Sequence, residues 1–259
     1  MTEKQWEAFC RYKKTLKSLC DQWLSLEKEL LPLQKEAAAL KGGAADYPFE
    51  TPVVYNTDYD KLTQEDEIRI FVVGDNPGKE EQMAKNRRYL CGQSGRIAAG
   101  FFSRNPDLKC DFKKNAVILN KTPVHTAKTV QLKYLFKNGS DAIKNLIIVS
   151  QKQMAELTAQ LHQDFVKYAE KGKPVPELWL VGYSELKPKG LFKDYRETLR
   201  NAYSSEEGRS VWEKVFVYQH FSMNRFTIDL GDFMKANPGH ELKESLELLG
   251  HMHRDEIFN

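Results

Sequence analysis

The sequence predicts an α/β protein: a three-layer α/β/α sandwich around a central, mainly parallel four-stranded sheet, preceded by a long N-terminal helix. Two observations lead there. Short runs that are apolar on both faces occur at 68–73, 116–119, 178–181 and 215–218, as expected for strands buried between two helical layers. The 35 to 60 residues between them carry helical patterns, which suits parallel strands joined by crossovers. Taken in order, Phe9, Tyr12, Leu16, Leu19, Trp23, Leu26 and Leu30 recur at gaps of three and four, one stripe of a helix that Pro32 should end or kink. That stripe is expected to pack on the main domain, with self-association not favoured. Gly42 and Gly43 then mark a break, dividing an arm at 1–43 from a domain at 44–259. Helices are expected at roughly 93 to 103, 141 to 170, 190 to 203 and 241 to 253.

Hydrophobic residues make up 41% and charged residues 29% of the 259, a globular composition without an 18-residue apolar run or a signal-peptide pattern. A cytoplasmic location and no membrane partner are the expectation. Cys10, Cys20, Cys91 and Cys110 lack metal-ribbon and redox spacings, so neither a disulfide nor a metal or other cofactor is expected. The net charge of +3 hides an asymmetry: residues 83–135 hold eleven basic and two acidic residues, +9, leaving −6 for the rest. Such a face suits a polyanion.

In parallel α/β sheets ligands bind beyond the carboxyl ends of the strands. The polar residues there are Asp75 and Asn76 after the first run, Asn120 after the second, and His220 with Ser222 after the last. GDNPGK is not a phosphate-binding P-loop, since three residues rather than four separate its glycines and Glu80 stands where Ser or Thr is needed.

Together these residues resemble the uracil-DNA glycosylase superfamily, whose first motif is G-x-[DNA]-P-[GY] after a strand and whose last is H-P-S-x. Here they read GDNPG (Gly74, Asp75, Asn76, Pro77, Gly78) and HFSMNR (His220 to Arg225), with VILN ending at Asn120 between them. GQSGR (Gly92 to Arg96) is similar to the G-x-[AS]-G of the iron-sulphur branch. The resemblance covers roughly residues 65 to 255 and implies a monofunctional glycosylase that flips uracil, or a related deaminated base, out of single- or double-stranded DNA in base excision repair.

It also implies roles. Asn120 would read the base, donating to uracil O4 and accepting from N3–H; its alternative is a turn or helix cap. His220, as a neutral imidazole, would donate to O2 of the departing base with help from backbone amides of the first motif. Either Asp75 or Asn76 could orient the water, and the carboxylate is preferred because it also stabilises a cationic sugar. Tyr89 or Leu90 occupies the region where an aromatic lies beneath the base, and core packing of Tyr89 is the equal alternative. Ser222, Met223, Asn224 and Arg225 would form a loop pressed into the minor groove, Met223 as its wedge. Lys121 and Arg96 would contact the DNA backbone.

The chain departs from the pattern in three ways. Its cysteines do not match the iron-sulphur arrangement, so no cluster is expected. Phe221 replaces the proline of H-P-S, which should relax the turn that positions the histidine. The N-terminal arm lies outside the resemblance. A non-catalytic nucleic-acid-binding or protein-interaction module on the same fold is the alternative function.

Overall fold

The computed structural model describes residues 1–40 and 47–259; the Gly42-Gly43 break and the proposed domain boundary lie outside them. The chain starts with α1 (Glu3–Trp23), a single 3-10 turn (Leu24–Leu26) and α2 (Glu27–Ala39). A capping box opens α1: Thr2 Oγ1 accepts the Gln5 N–H at 3.2 Å, and the Gln5 side chain accepts the Thr2 N–H at 2.9 Å. The 3-10 turn interrupts the helix at Leu24–Leu26, and Pro32 does not end it but sits inside α2. Packing overrides the proline: Leu30, Gln34 and Ala37 are buried, and the Gln34 amide donates to the carbonyls of Pro52 and His125 at 3.0 and 2.8 Å.

The remaining elements are β1 (Ile70–Gly74), α3 (Gln93–Arg104), α4 (Phe112–Asn115), β2 (Ala116–Asn120), α5 (Leu132–Asn138), α6 (Asp141–Lys167), β3 (Glu177–Val181), α7 (Tyr183–Leu186), α8 (Lys193–Ala202), α9 (Glu206–Trp212), β4 (Val215–Tyr218), α10 (Arg225–Ala236) and α11 (Leu242–Phe258). The four strands form one sheet in the order β2-β1-β3-β4, every pair parallel. Residues that alternate along each strand go to opposite faces, as the pleat requires. Phe71, Val73, Val117, Leu119, Leu178, Leu180, Val215 and Val217 join one core with α1, α2, α5, α6 and α8. Ile70, Val72, Trp179, Val181, Phe216 and Tyr218 join the other with α3, α10 and α11. The result is the expected three-layer sandwich.

The arm is part of the first of these cores. Phe9, Tyr12, Leu16, Trp23 and Leu30 are buried there, and Leu19 and Leu26 pack against it, so the apolar stripe is consumed within the chain. Edge strand β2 is capped from the side: Asn56 Nδ2 and Tyr59 Oη both donate to the Ile118 carbonyl, at 3.1 and 2.6 Å, which blunts an otherwise open edge.

Candidate functional site

The carboxyl ends of β1 and β2 leave the sheet side by side, because Gly74 pairs with Asn120 in register. The Lys121 N–H then donates to the carbonyls of Gly74 and Asp75, at 3.0 and 3.1 Å. The Asn120 side chain lies over Gly74, where an added Cβ would come within 2.6 Å of Asn120 Oδ1. Glycine is needed there for close approach, not for its dihedral freedom. Asn120 is only 2% exposed, and its Nδ2 has no hydrogen-bond partner among the described residues. A buried donor left unpaired costs about 1–3 kcal/mol, the pattern of a group that awaits a ligand acceptor.

Asp75 and Lys121 form a buried ion pair across the same two strand ends. Lys121 Nζ is fully enclosed, donates to Asp75 Oδ1 at 2.6 Å and to the Val181 carbonyl, and lies 5.1 Å from the Phe192 ring centroid. The end of β3 completes the seat. Gly182 has φ +98°, and a Cβ there would be 2.3 Å from Asp75 Oδ1, so both its backbone conformation and the carboxylate above it call for glycine. Among the described residues the second oxygen, Oδ2, takes a single long contact, from Thr129 Oγ1 at 3.5 Å. Burial lowers the Lys121 pKa, and the adjacent Asp75 carboxylate opposes that shift. Lys121 is therefore not a DNA-backbone contact. It is the internal counter-ion of Asp75, because a cation held this deeply needs a paired anion.

His220 follows β4 and is electrostatically coupled to both Asp75 and Lys121. The Ser222 backbone N–H donates to His220 Nδ1 at 3.1 Å, and Ser222 Oγ lies 2.8 Å from the same nitrogen. An amide N–H can only donate, so Nδ1 accepts and the ring proton resides on Nε2. Burial pushes the His220 pKa below the ordinary value of 6.5, with Lys121 adding to the shift and Asp75 opposing it. The imidazole is thus neutral at pH 7 with one N–H to offer. Phe221 does not loosen this turn. Its φ is −65°, the value a proline ring would impose, and its fully buried ring packs on Phe112 and Phe226 with centroids 6.2 and 4.9 Å away.

Asn76, Pro77 and Gly78 serve the loop rather than the strand ends. Asn76 Nδ2 donates to Thr126 Oγ1 at 2.9 Å. The Pro77 carbonyl accepts from His125 Nδ1 at 2.8 Å, while Tyr47 Oη donates to His125 Nε2 at 2.9 Å. Burial lowers the His125 pKa to about 4. The Gly78 N–H donates to Glu81 Oε2 at 2.8 Å, and burial raises the Glu81 pKa to about 7. The sequence reading missed Glu81 and His125 as the locks of this loop; the apolar-flanked PVHT segment was the available signal.

Tyr89 is not placed to stack on a base. It is 3% exposed, its Oη donates to the Val54 carbonyl at 2.7 Å, and its ring meets Tyr59 edge-on. Leu90, with φ +47°, packs against the second core, and its carbonyl abuts Gly95. Met223, Asn224 and Arg225 are exposed at the start of α10. Met223, 77% exposed, and Asn224 have φ of +53° and +56°, an arrangement that projects an apolar side chain into solvent with no packing to explain it. Arg96 is exposed on the first turn of α3. The cysteines are free thiols, and no helix among the described residues is long and apolar enough to cross a membrane.

Asp75, Asn120 and Lys121 therefore meet at the adjoining ends of β1 and β2, and His220, held by Ser222 beyond β4 on the same sheet end, feels the charges of Asp75 and Lys121. Asn76 and Tyr89 are engaged elsewhere. No family model, curated protein or solved structure matches the chain.

Proposed function

We propose that the chain is a monofunctional DNA glycosylase that hydrolyses uracil, or a related deaminated base, from DNA. The observation that carries this reading is the buried, unpartnered Asn120 amide, on the same sheet end as the Asp75 carboxylate and the neutral, Nε2-protonated His220. A uracil O4 would supply the missing acceptor, while Asn120 Oδ1 accepts N3–H. His220 Nε2–H would donate to O2 as negative charge collects on the base. Water adds through its oxygen to C1′, the electron pair of the glycosidic bond leaves with the base, and the water proton ends on the departing base. Asp75, with Oδ2 weakly engaged, orients that water and stabilises the cationic sugar. The enclosure of Lys121 Nζ argues against an attacking amine, which would need a free lone pair facing the sugar.

Because Asn120 Nδ2 is shielded from solvent, a base reaches it only after a covering segment moves, as in enzymes that shut around substrate. The test is incubation with oligonucleotides carrying uracil, hypoxanthine or xanthine, single- and double-stranded, followed by alkali to cut abasic sites. Strand scission at the modified position is the expected result.

A second reading, a non-catalytic nucleic-acid-binding module, is favoured by that same closure and by the engagement of Asp75 with Lys121. Salt-sensitive DNA binding with no scission on any of the three substrates would select it.

A further inference from the structure

Outside the strand-end site, a basic groove runs beside edge strand β2. Two cavities of ≈ 780 and ≈ 630 Å³ adjoin there and share Arg96, Ala99, Phe112 and Lys113. One continues to Lys109, the other to Lys61 and Arg88. The wall that α3 supplies carries Arg96, Ala99, Gly100, Phe102 and Ser103, and the three small residues among them let a chain backbone approach closely there.

The charge balance is one-sided. Asp58 is shared by Lys61 at 2.6 Å and Arg88 at 3.8 Å. Asp111 accepts the Lys113 N–H as the cap of α4 and lies 3.9 Å from Lys114. Arg96, Lys109 and Lys113 have no ion pair among the described residues, and all three side chains are exposed. Helix α3 also packs against the Ser222–Asn224 turn that bears Met223, so a strand leaving that turn can run over α3 into the groove.

We infer that this groove holds the sugar-phosphate backbone of a nucleic-acid strand, with Arg96 and Lys113 as its central phosphate contacts. This deepens the glycosylase reading by extending its substrate footprint to the β2 edge of the sheet. Unpaired, solvated cations along a channel fit a repeating anion, and Lys109, Lys61 and Arg88 continue the line on either side.

The test uses undamaged single-stranded oligothymidylate, so that it does not depend on base cleavage. Fluorescence anisotropy titrations over a range of salt concentrations compare the intact chain with Arg96→Ala/Lys113→Ala. A control, Lys28→Ala/Lys35→Ala, removes two exposed cations from α2. Loss of two phosphate contacts should lower the slope of log K against log salt by about 1.4, with binding at low salt weakened about tenfold or more and the control unchanged. An unchanged slope, an equal effect in the control, or equally tight binding of polyglutamate of the same charge would overturn the inference. Slope loss in a chain that releases no base would leave the groove standing and the glycosylase reading refuted; base release with an unchanged slope would do the reverse.

Discussion

Replacing Lys121 by Met probes the centre of the site without asking it to turn over substrate. The substitution keeps most of the apolar stem and deletes the charge. Asp75, 8% exposed and seated above Gly182, is left as a buried carboxylate with no cation. Breaking a buried pair by removing one partner costs about 3–5 kcal/mol. In a chain of 259 residues, where each kcal/mol shifts the melting midpoint by about 2–4 °C, the expected loss is on the order of 6–20 °C. Urea denaturation followed by far-ultraviolet circular dichroism gives the free energy directly. The double variant Asp75→Asn/Lys121→Met removes both charges and should recover more than half of the loss, since the penalty arises from the uncompensated anion. A loss under about 1 kcal/mol, the range of an exposed ion pair, would refute the burial argument. So would a double variant as unstable as the sum of the two single changes.

Three further outcomes follow from the geometry. Asn120→Ala should lower kcat/KM for uracil by about 10⁴, as when a buried polar contact to substrate is lost, yet unfold within about 1 kcal/mol of the parent because the unpaired amide was itself a burden; urea titration and steady-state kinetics read the two effects. Met223→Ala should slow cleavage of duplex substrate about tenfold and spare single strands, since only the duplex needs its stack opened. Glu81→Gln should gain stability relative to the parent as pH rises. Burial raises the folded-state pKa of Glu81 from 4.5 to about 7, so the parent's folded state holds a proton that its unfolded state has released. Parent stability is therefore full below pH 4.5 and is lost as pH rises through 7, by on the order of 3 kcal/mol. Denaturation midpoints of both proteins between pH 4.5 and 8 test this, and parallel curves would contradict it.

The layers and strand ends were legible because their signals are local. The apolar run at 215–218 coincides with β4, and the helix expected at 141 to 170 is α6, Asp141–Lys167. Asn120 and His220 could be found because one ends β2 and the other lies two residues past β4. Lys121 could not: a lysine after a strand reads as solvated, and only the register that sets Asn120 beside Gly74, together with the approach of β3, shows what encloses it. For Tyr89 the sequence left stacking and core packing open, and the core packing that the structure shows could not be chosen in advance because its hydroxyl partner, Val54, lies far back in an irregular segment. Pro32 does not end the helix, as it could have done on propensity, because a propensity argument cannot see Gln34 holding α2 against Pro52 and His125. The expected loosening at Phe221 was wrong because an aromatic anchor does the work of the missing ring.

Release of free base in a single turnover bears most directly on the claim that Asp75, Asn120 and neutral His220 form one hydrolytic centre. With protein in excess over a uracil-containing single strand, chromatography of the small-molecule fraction should show stoichiometric uracil from the intact chain. His220→Ala should slow its appearance about 10²–10³-fold, as expected when a donor to the developing anion is lost. Absence of free uracil, hypoxanthine and xanthine from every corresponding substrate, while the protein still binds those strands, would contradict it.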